Sequence, residues 1–361
     1  MGVRSTNPTQ SFSSDFHRSG TDAASQSHPG GPVVATGGEQ FGIPLAAAPV
    51  PNGGGYVYHF FTDTSTPATF QATYGENVNV LVIGGGGAGG YGGGGGGGIA
   101  QAVNVPTELP LSGGGGTFTA TISVGAGGGT PSPPTTGDNS TFVFAPLSDP
   151  STPVTVTALG GGDGGFGSGY DGGSGGGAGR LAPVSPTSGT YSGGSGQQPS
   201  QNPGLPFTVN NYGNPGGPSI PRSNAFSTSA RGGGGGGAAA DSTRDGADGR
   251  SFTIFTGPVI YPLMPSPLQS TLGTAWRDAV GSTGKFAGGG GGHNKPSSST
   301  QPSGGEGGGG AGGYDGDNTS TNPGTPGVNY TGGGGGGRVN PGTSGIGGNG
   351  LVVVYYYVGN N

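Results

Sequence analysis

Apolar and polar residues alternate along several short segments of the chain, as expected of β-strands with one buried and one exposed face. The alternation is clearest in TFTATISV, residues 117–124. The most apolar segment is LVVVYYYV, residues 351–358. The pattern as a whole predicts strands at residues 56–61, 68–74, 77–83, 117–124, 141–144, 154–158 and 351–358.

Runs of glycine separate these strands and leave almost no room for helices. Gly or Pro interrupts every window of twelve residues apart from a few positions near 275–280, and both residues disfavour helix interiors. A run of six or seven glycines, such as 92–98, forms neither an α-helix nor an ordinary strand, because glycine contributes no packing and loses the most chain entropy. Such a run is either a flexible linker or an extended helix of the polyproline-II type.

The ordered alternative requires several runs side by side. A polyproline-II-type helix has three residues per turn and no internal hydrogen bonds, so its N–H and C=O groups must bond to neighbouring chains. The runs lie next to the predicted strands and contain Gly and Ala rather than the Gly and Ser of linkers, which favours this form. The predicted fold class is therefore mainly β with polyglycine-II-like segments, short strands at both ends of the glycine-rich body and almost no helix.

The composition changes along the chain and predicts three segments. Residues 1–50 are polar without periodicity, which is typical of an extended arm or linker. The strands are concentrated in residues 51–160. Residues 161–361 form a glycine-rich body that closes with the last strand and contains two long inserts, at 180–230 and 251–287.

The composition also excludes several classes of protein. Of 361 residues, 94 are glycine and 32 are proline, so too little apolar side chain remains for the core of an ordinary enzyme domain of this length. The net charge of −6 and the scattered basic residues argue against nucleic-acid binding. No apolar run approaches the length of about 18 residues that crosses a membrane, and we expect no membrane insertion.

Motifs that resemble catalytic or cofactor sites have compositional explanations. VIGGGGAGG, residues 82–90, satisfies the G-x-G-x-x-G dinucleotide fingerprint but is followed by more glycine instead of the required helix. Asp163 and Asp171 do not continue as a calcium-binding repeat and are typical turn residues. The four histidines lack metal-ligand spacing. We therefore predict no catalytic, cofactor-binding or metal-binding residues, and no enzymatic activity.

Aromatic residues in polar, glycine-rich surroundings are the candidate binding residues. Tyrosine in such loops is typical of adaptable binding surfaces, although the same rings could instead cap the glycine runs or fill gaps between protomers. A wider group lies inside or beside the runs and includes Tyr91, Phe166 and Tyr170. The candidates for receptor contact within the two inserts are Tyr191, Tyr212, Phe226, Tyr261 and Trp276.

The order of these segments resembles the glycine-rich domain of bacteriophage and other virus virion proteins. VNVLVIGGGGAGGYGGGGGGG is similar to its opening, followed by FTATISVGAGGG, GDNSTFVF and VTVTALGGGDGG, and GIGGNGLVVVYYYV is similar to its terminal strand. The resemblance covers roughly residues 55–358, and the long inserts and uneven runs depart from a regular bundle. Such domains are found in tail fibres, tip adhesins and capsid appendages.

The resemblance implies a non-enzymatic structural or appendage protein on the surface of a virion. Residues 1–50 would then dock on other virion proteins, the chain would form a homo-oligomer, by default a trimer, and the inserts at 180–230 and 251–287 would contact a host-surface glycan or protein. The alternative is a cellular extracellular glycine-rich protein, of the matrix or ice-interacting kind. Regular repeats would favour that alternative, and the glycine runs here are unevenly spaced.

Overall fold

The computed structural model describes residues 34–43, 55–74, 77–107, 118–129, 133–145, 151–179, 191–201, 205, 207–219, 244–293, 301–315, 321–339 and 342–358. Within them, all seven predicted strands are present, each within one residue of its predicted bounds. The fold of the described residues is mainly β with two short α-helices, as the sequence predicts.

Two antiparallel sheets form the β part of the fold. The strands are β1 (Val34–Thr36), β2 (Glu39–Ile43), β3 (Gly55–Phe61), β4 (Ala68–Tyr74), β5 (Val78–Ile83), β6 (Ile99–Val105), β7 (Phe118–Ser123), β8 (Ser140–Phe144), β9 (Val154–Ala158), β10 (Thr208–Tyr212), β11 (Arg250–Ser251), β12 (Lys285–Phe286), β13 (Tyr314–Asp315), β14 (Thr321–Asn322) and β15 (Leu351–Val358). One sheet has the order β1-β4-β7-β8-β9 and the other β10-β6-β5-β15-β3-β2, while β11-β12 and β13-β14 form two-stranded ladders.

The six-stranded sheet is buried on both faces. Val80 and Val352 point into the core between the two sheets, whereas Leu81 and Val353 pack under the helical segment on the opposite face. Strands buried on both faces need consecutive apolar residues, which explains why LVVV in β15 is the most apolar stretch of the chain.

The helical segment within the 251–287 insert is longer than the sequence indicated. It comprises α1 (Gly257–Ile260), α2 (Ser266–Val280) and 3-10 turns at Thr253–Phe255 and Tyr261–Leu263. Helix α2 passes through Gly273, whose φ of 71° interrupts the helical geometry. Leu268, Leu272, Trp276 and Val280 recur every four residues and are buried, so tertiary packing stabilises a helix that local propensity disfavours.

The glycine runs are bonded laterally to one another with a period of three residues. In run 84–90 the N–H groups of Gly84 and Gly87 donate to residues of run 92–98. The N–H groups one position further along the run donate to residues 135–138, and those two positions further along donate to residues 345–348. All six hydrogen bonds are 2.9–3.1 Å long. Three residues per turn with every donor directed outward is the geometry of polyglycine II.

The carbonyl groups of the same run accept hydrogen bonds from three further neighbouring chains. Gly161 and Gly164 donate to carbonyls on one side of run 84–90, Gly335 and Arg338 to another side, and Gly128 to a third. Among the described residues the run therefore has six neighbouring chains, which is hexagonal packing. We call the laterally bonded segments the polyglycine lattice; they are 84–98, 125–129, 135–138, 159–177, 192–196, 214–217, 244–249, 288–293, 303–313, 324–338 and 342–350.

The domain boundaries predicted from composition need two corrections. Residues 34–43 belong to the folded body, because β1 pairs with β4 and β2 pairs with β3, so an arm does not extend to residue 50. The lattice also combines runs from both sides of residue 160, so that position separates no structural unit. The other residues of 1–50 lie outside the described ranges.

Candidate functional site

The polyglycine lattice extends from the ends of the sheet strands and has a tip of its own. Run 84–90 leaves β5 after Ile83, turns at Tyr91 and returns as run 92–98 to β6. At about 3.1 Å per residue in this helix type, Tyr91 lies about 25 Å from the sheet. The lattice thus carries a chain reversal far from the β core on backbone that is bonded on all sides.

Aromatic rings gather at this tip because several runs end together there. The N–H groups of Tyr91 and Gly92 both donate to Gly165 O at 3.2 Å, which brings Phe166 next to Tyr91. The two rings meet edge to face with centroids 5.0 Å apart. His293 lies on another side of Tyr91 at 5.6 Å, with its Nδ1 3.1 Å from Tyr91 O.

Arg338 adds a positive charge to the same place. Its N–H donates to Gly90 O at 2.8 Å, and its guanidinium carbon lies 5.0 Å from the ring centroid of Phe166 and 5.7 Å from that of Tyr91. Both distances are within the range of cation–π attraction. The side chain is half-buried, and its Nε is enclosed without a hydrogen-bond partner among the described residues.

Two tyrosines on the segments next to Phe166 expose their rings to solvent. Tyr170 is 57% exposed and Tyr191 is 37% exposed. Tyr191 is fixed by Ser219, which accepts its N–H through Oγ at 2.8 Å and donates its own N–H to Tyr191 O at 2.9 Å. The ring of Tyr191 lies over Gly167, the residue after Phe166. We call Tyr91, Phe166, Tyr170, Tyr191 and Arg338 the tip cluster.

A buried carboxyl group lies just behind the tip cluster. Asp163 is only 4% exposed, and its Oδ1 has no hydrogen-bond partner among the described residues. Burial raises the pKa of Asp163 to about 7, because the charged form loses its hydration. Its carbonyl oxygen accepts the N–H of Tyr170 at 3.1 Å, so this carboxyl group is part of the hairpin that carries Phe166 and Tyr170.

The five candidate residues of the two inserts do not form one site in the structure. Tyr191 belongs to the tip cluster. Tyr212 lies elsewhere, at the end of β10, beneath the guanidinium of Arg250 at 4.4 Å. The hydroxyl of Tyr261 donates to Gln269 O at 3.0 Å within the helical segment.

Trp276 does not contribute to the surface. Trp276 is fully buried and donates its indole N–H to Tyr330 O at 2.9 Å. Its ring is therefore part of the core under the six-stranded sheet, and the expectation that it contacts a receptor is corrected. Phe226 lies outside the described residues. The sequence did not single out Arg338, and its position directly after the glycine run 332–337 was the available signal.

Neither a metal centre nor a membrane-spanning helix is found in the part of the chain that the structure describes. No three potential ligand side chains of His, Asp or Glu come together there. The longest described helix, α2, has 15 residues, and none of the described helices is long and apolar enough to cross a bilayer.

Comparison with known proteins identifies a family for most of the chain. The family model described as "Glycine-rich domain" matches residues 62–357. This range includes both sheets, except for β1, β2 and β3, and all segments of the polyglycine lattice. No curated protein and no solved structure matches the chain.

Proposed function

Since the chain belongs to the glycine-rich domain family, we propose that it is a non-enzymatic structural or appendage protein of a virion, of the fibre or adhesin type. In this proposal the sheets and the polyglycine lattice form a rigid body, and the tip cluster contacts the host surface. The protein is located on the outer surface of the particle. The order of its segments, which resembles that of virion proteins, supports this assignment.

The exposed aromatic rings of the tip cluster are the observation that carries the proposal. Tyr170 and Tyr191 expose large rings on glycine-rich segments whose backbone is held by lateral hydrogen bonds. A ring presented on rigid backbone loses little conformational entropy on binding. The lattice therefore supplies the pre-organisation that a binding tip needs, without a large apolar core.

The remaining parts of the proposal concern assembly. Residues 1–50 supply, in the part that precedes β1, an arm that docks on other virion proteins. The chain assembles as a homotrimer, which gives three tips per appendage. Several weak tip contacts that act together raise the overall affinity well above that of one contact.

The alternative is an extracellular structural protein of a cell, of the matrix or ice-interacting kind. A polyglycine lattice is equally suitable as the body of such a protein. That alternative assigns no role to the exposed rings at the tip, so the function of the tip cluster distinguishes the two.

Fractionation and competition together test the proposal. Antibodies against the chain should detect it in purified particles on a density gradient, and the purified protein should slow the adsorption of these particles to host cells. The double variant Tyr170→Ala/Tyr191→Ala should lose this competition. Tyr357→Ala, which removes a comparably exposed ring from β15, should retain it. Detection in cell-wall or medium fractions without particles would overturn the virion assignment.

A further inference from the structure

The tip cluster contains a cation, Arg338, that forms no ion pair with a carboxylate of the described residues. Among the described residues, the ion pairs join Arg277 to Asp278 and Lys285 to both Asp248 and Glu306. Arg338 is in none of them. An unpaired charge on a protein with a net charge of −6 forms a local positive site where the surroundings repel anions.

The surroundings of Arg338 fix the orientation of its guanidinium group. Phe166 and Tyr91 lie against it, and its backbone N–H is bonded to Gly90 O. Because Nε is enclosed while the side chain is only half-buried, the accessible donors are on the two Nη groups. Two parallel N–H donors in one plane match the two oxygens of a carboxylate.

The rings beside Arg338 are suited to a different part of the same ligand. Phe166 contacts the guanidinium, and the ring of Tyr191 lies over the adjacent Gly167. The π face of such a ring is negative and attracts the weakly positive C–H groups on the face of a sugar ring. A carboxylate and a stacking face on one small ligand describe an acidic saccharide.

We propose that Arg338, Phe166 and Tyr191 form a subsite for an acidic saccharide, with the carboxylate on the Nη groups of Arg338 and the sugar ring on the aromatic faces. This inference rests on the proposed function, since it names the ligand class of the tip. Charge recognition here selects between ligands, while repetition of the tip in an oligomer supplies affinity.

Titration of the purified full-length protein with sodium glucuronate and with glucose, followed by ligand-observed NMR, tests the subsite. The wild-type protein should bind glucuronate about tenfold more tightly than glucose, in line with one charge-assisted bidentate contact. Arg338→Gln should abolish this preference, and Arg338→Lys, which keeps the charge without the planar fork, should restore part of it. Arg250→Gln is the matched control, because it removes a guanidinium stacked on Tyr212 away from the tip.

This titration tests the acidic-saccharide subsite separately from the proposed appendage function. If Arg338→Gln binds glucuronate as tightly as the wild type, or if the wild type shows no preference over glucose, the acidic-saccharide subsite is overturned. The adsorption competition with Tyr170→Ala/Tyr191→Ala would still report on the appendage function. Melting temperatures within a few degrees of wild type establish that the variants are folded.

Discussion

The N–H of Gly86 donates to the carbonyl oxygen of Gly348 at 2.9 Å, and this bond joins the first long glycine run to the last. A Cβ atom on Gly86 would lie closer than 3.0 Å to the backbone of Gly333 in a third run. The backbone of Gly86 does not adopt positive φ, so the absence of space, rather than conformation, requires glycine here.

Gly86→Ala should therefore destabilise the protein strongly. Rigid backbone cannot move away as a flexible side chain can, so we expect the free energy of unfolding to fall by about 3 kcal/mol or more. Chemical denaturation measures this change. Gly129→Ala is the matched control, because the nearest atom to its Cβ would be Thr135 Oγ1 at 3.9 Å. A similar loss in both variants would contradict the close-packed lattice.

The strands could be predicted from sequence because their pattern is local. Segment 154–158 and strand β9 coincide, as do segment 351–358 and β15. The sequence did not predict β6 (Ile99–Val105), which is joined to β5 by the glycine hairpin 84–98 and pairs with it antiparallel. That pairing depends on the lattice around the hairpin and not on the strand residues alone.

The tip cluster was only partly predictable for a related reason. Tyr191 was identified because it is an aromatic residue in a polar insert, but its neighbours Phe166 and Arg338 come from different runs. Only the lateral register of those runs, for example the bond from Arg338 N–H to Gly90 O, brings them together. The prediction for Trp276 was wrong because a single Trp in a polar insert is as consistent with a small local core as with an exposed binding residue.

His59 should make the protein less stable in mild acid. Its Nδ1 lies 2.7 Å from Gly37 O, which can only accept, so Nδ1 carries the proton and Nε2 accepts from the hydroxyl of Tyr356 at 3.1 Å. Burial lowers the pKa of His59 below its ordinary value, so the unfolded chain binds a proton more readily than the folded one. Stability should fall as the pH drops below about 6.5.

Denaturant unfolding of wild type and His59→Gln at pH 7.5 and pH 5 measures this contribution. The variant is expected to be less stable at pH 7.5, but its stability should decrease less between the two values than that of the wild type. Other titrating groups, including Asp163, are common to both proteins and cancel in the difference. Equal decreases would show that His59 does not titrate in this range.

Asp163 should have the opposite effect on stability. Its pKa is raised to about 7 in the folded protein, so the folded state holds the proton more tightly than the unfolded chain and the group destabilises the fold as the pH rises towards 8. Asp163→Asn removes the charge and keeps the shape. We expect this variant to be more stable than wild type at pH 8, by on the order of 2 kcal/mol, and nearly equal at pH 4.

The comparison needs an exposed carboxyl group as its control. Asp171→Asn changes a residue eight positions later on the same hairpin, where the side chain accepts the N–H of Ser195 at 2.6 Å. This variant should be no more stable than wild type at either pH. A stability difference for Asp163→Asn that is the same at pH 4 and pH 8 would contradict ionisation as its cause.

Gln201 should protect the edge of the five-stranded sheet. Its Oε1 accepts the N–H of Thr157 at 2.7 Å, and its Nε2 donates to the carbonyl oxygen of the same residue at 2.6 Å. The side-chain amide thus occupies the positions that a further strand would take along β9, and unpaired edge groups promote association between molecules.

Gln201→Glu keeps the acceptor but loses the donor, and it places a negative charge next to Thr157 O. We expect a loss of about 1–3 kcal/mol in stability and concentration-dependent light scattering on warming. Gln71→Glu, at an exposed position inside β4, adds the same charge without uncovering an edge and should change neither property. If the two variants scatter alike, added charge accounts for the effect and the edge of β9 needs no protection by Gln201.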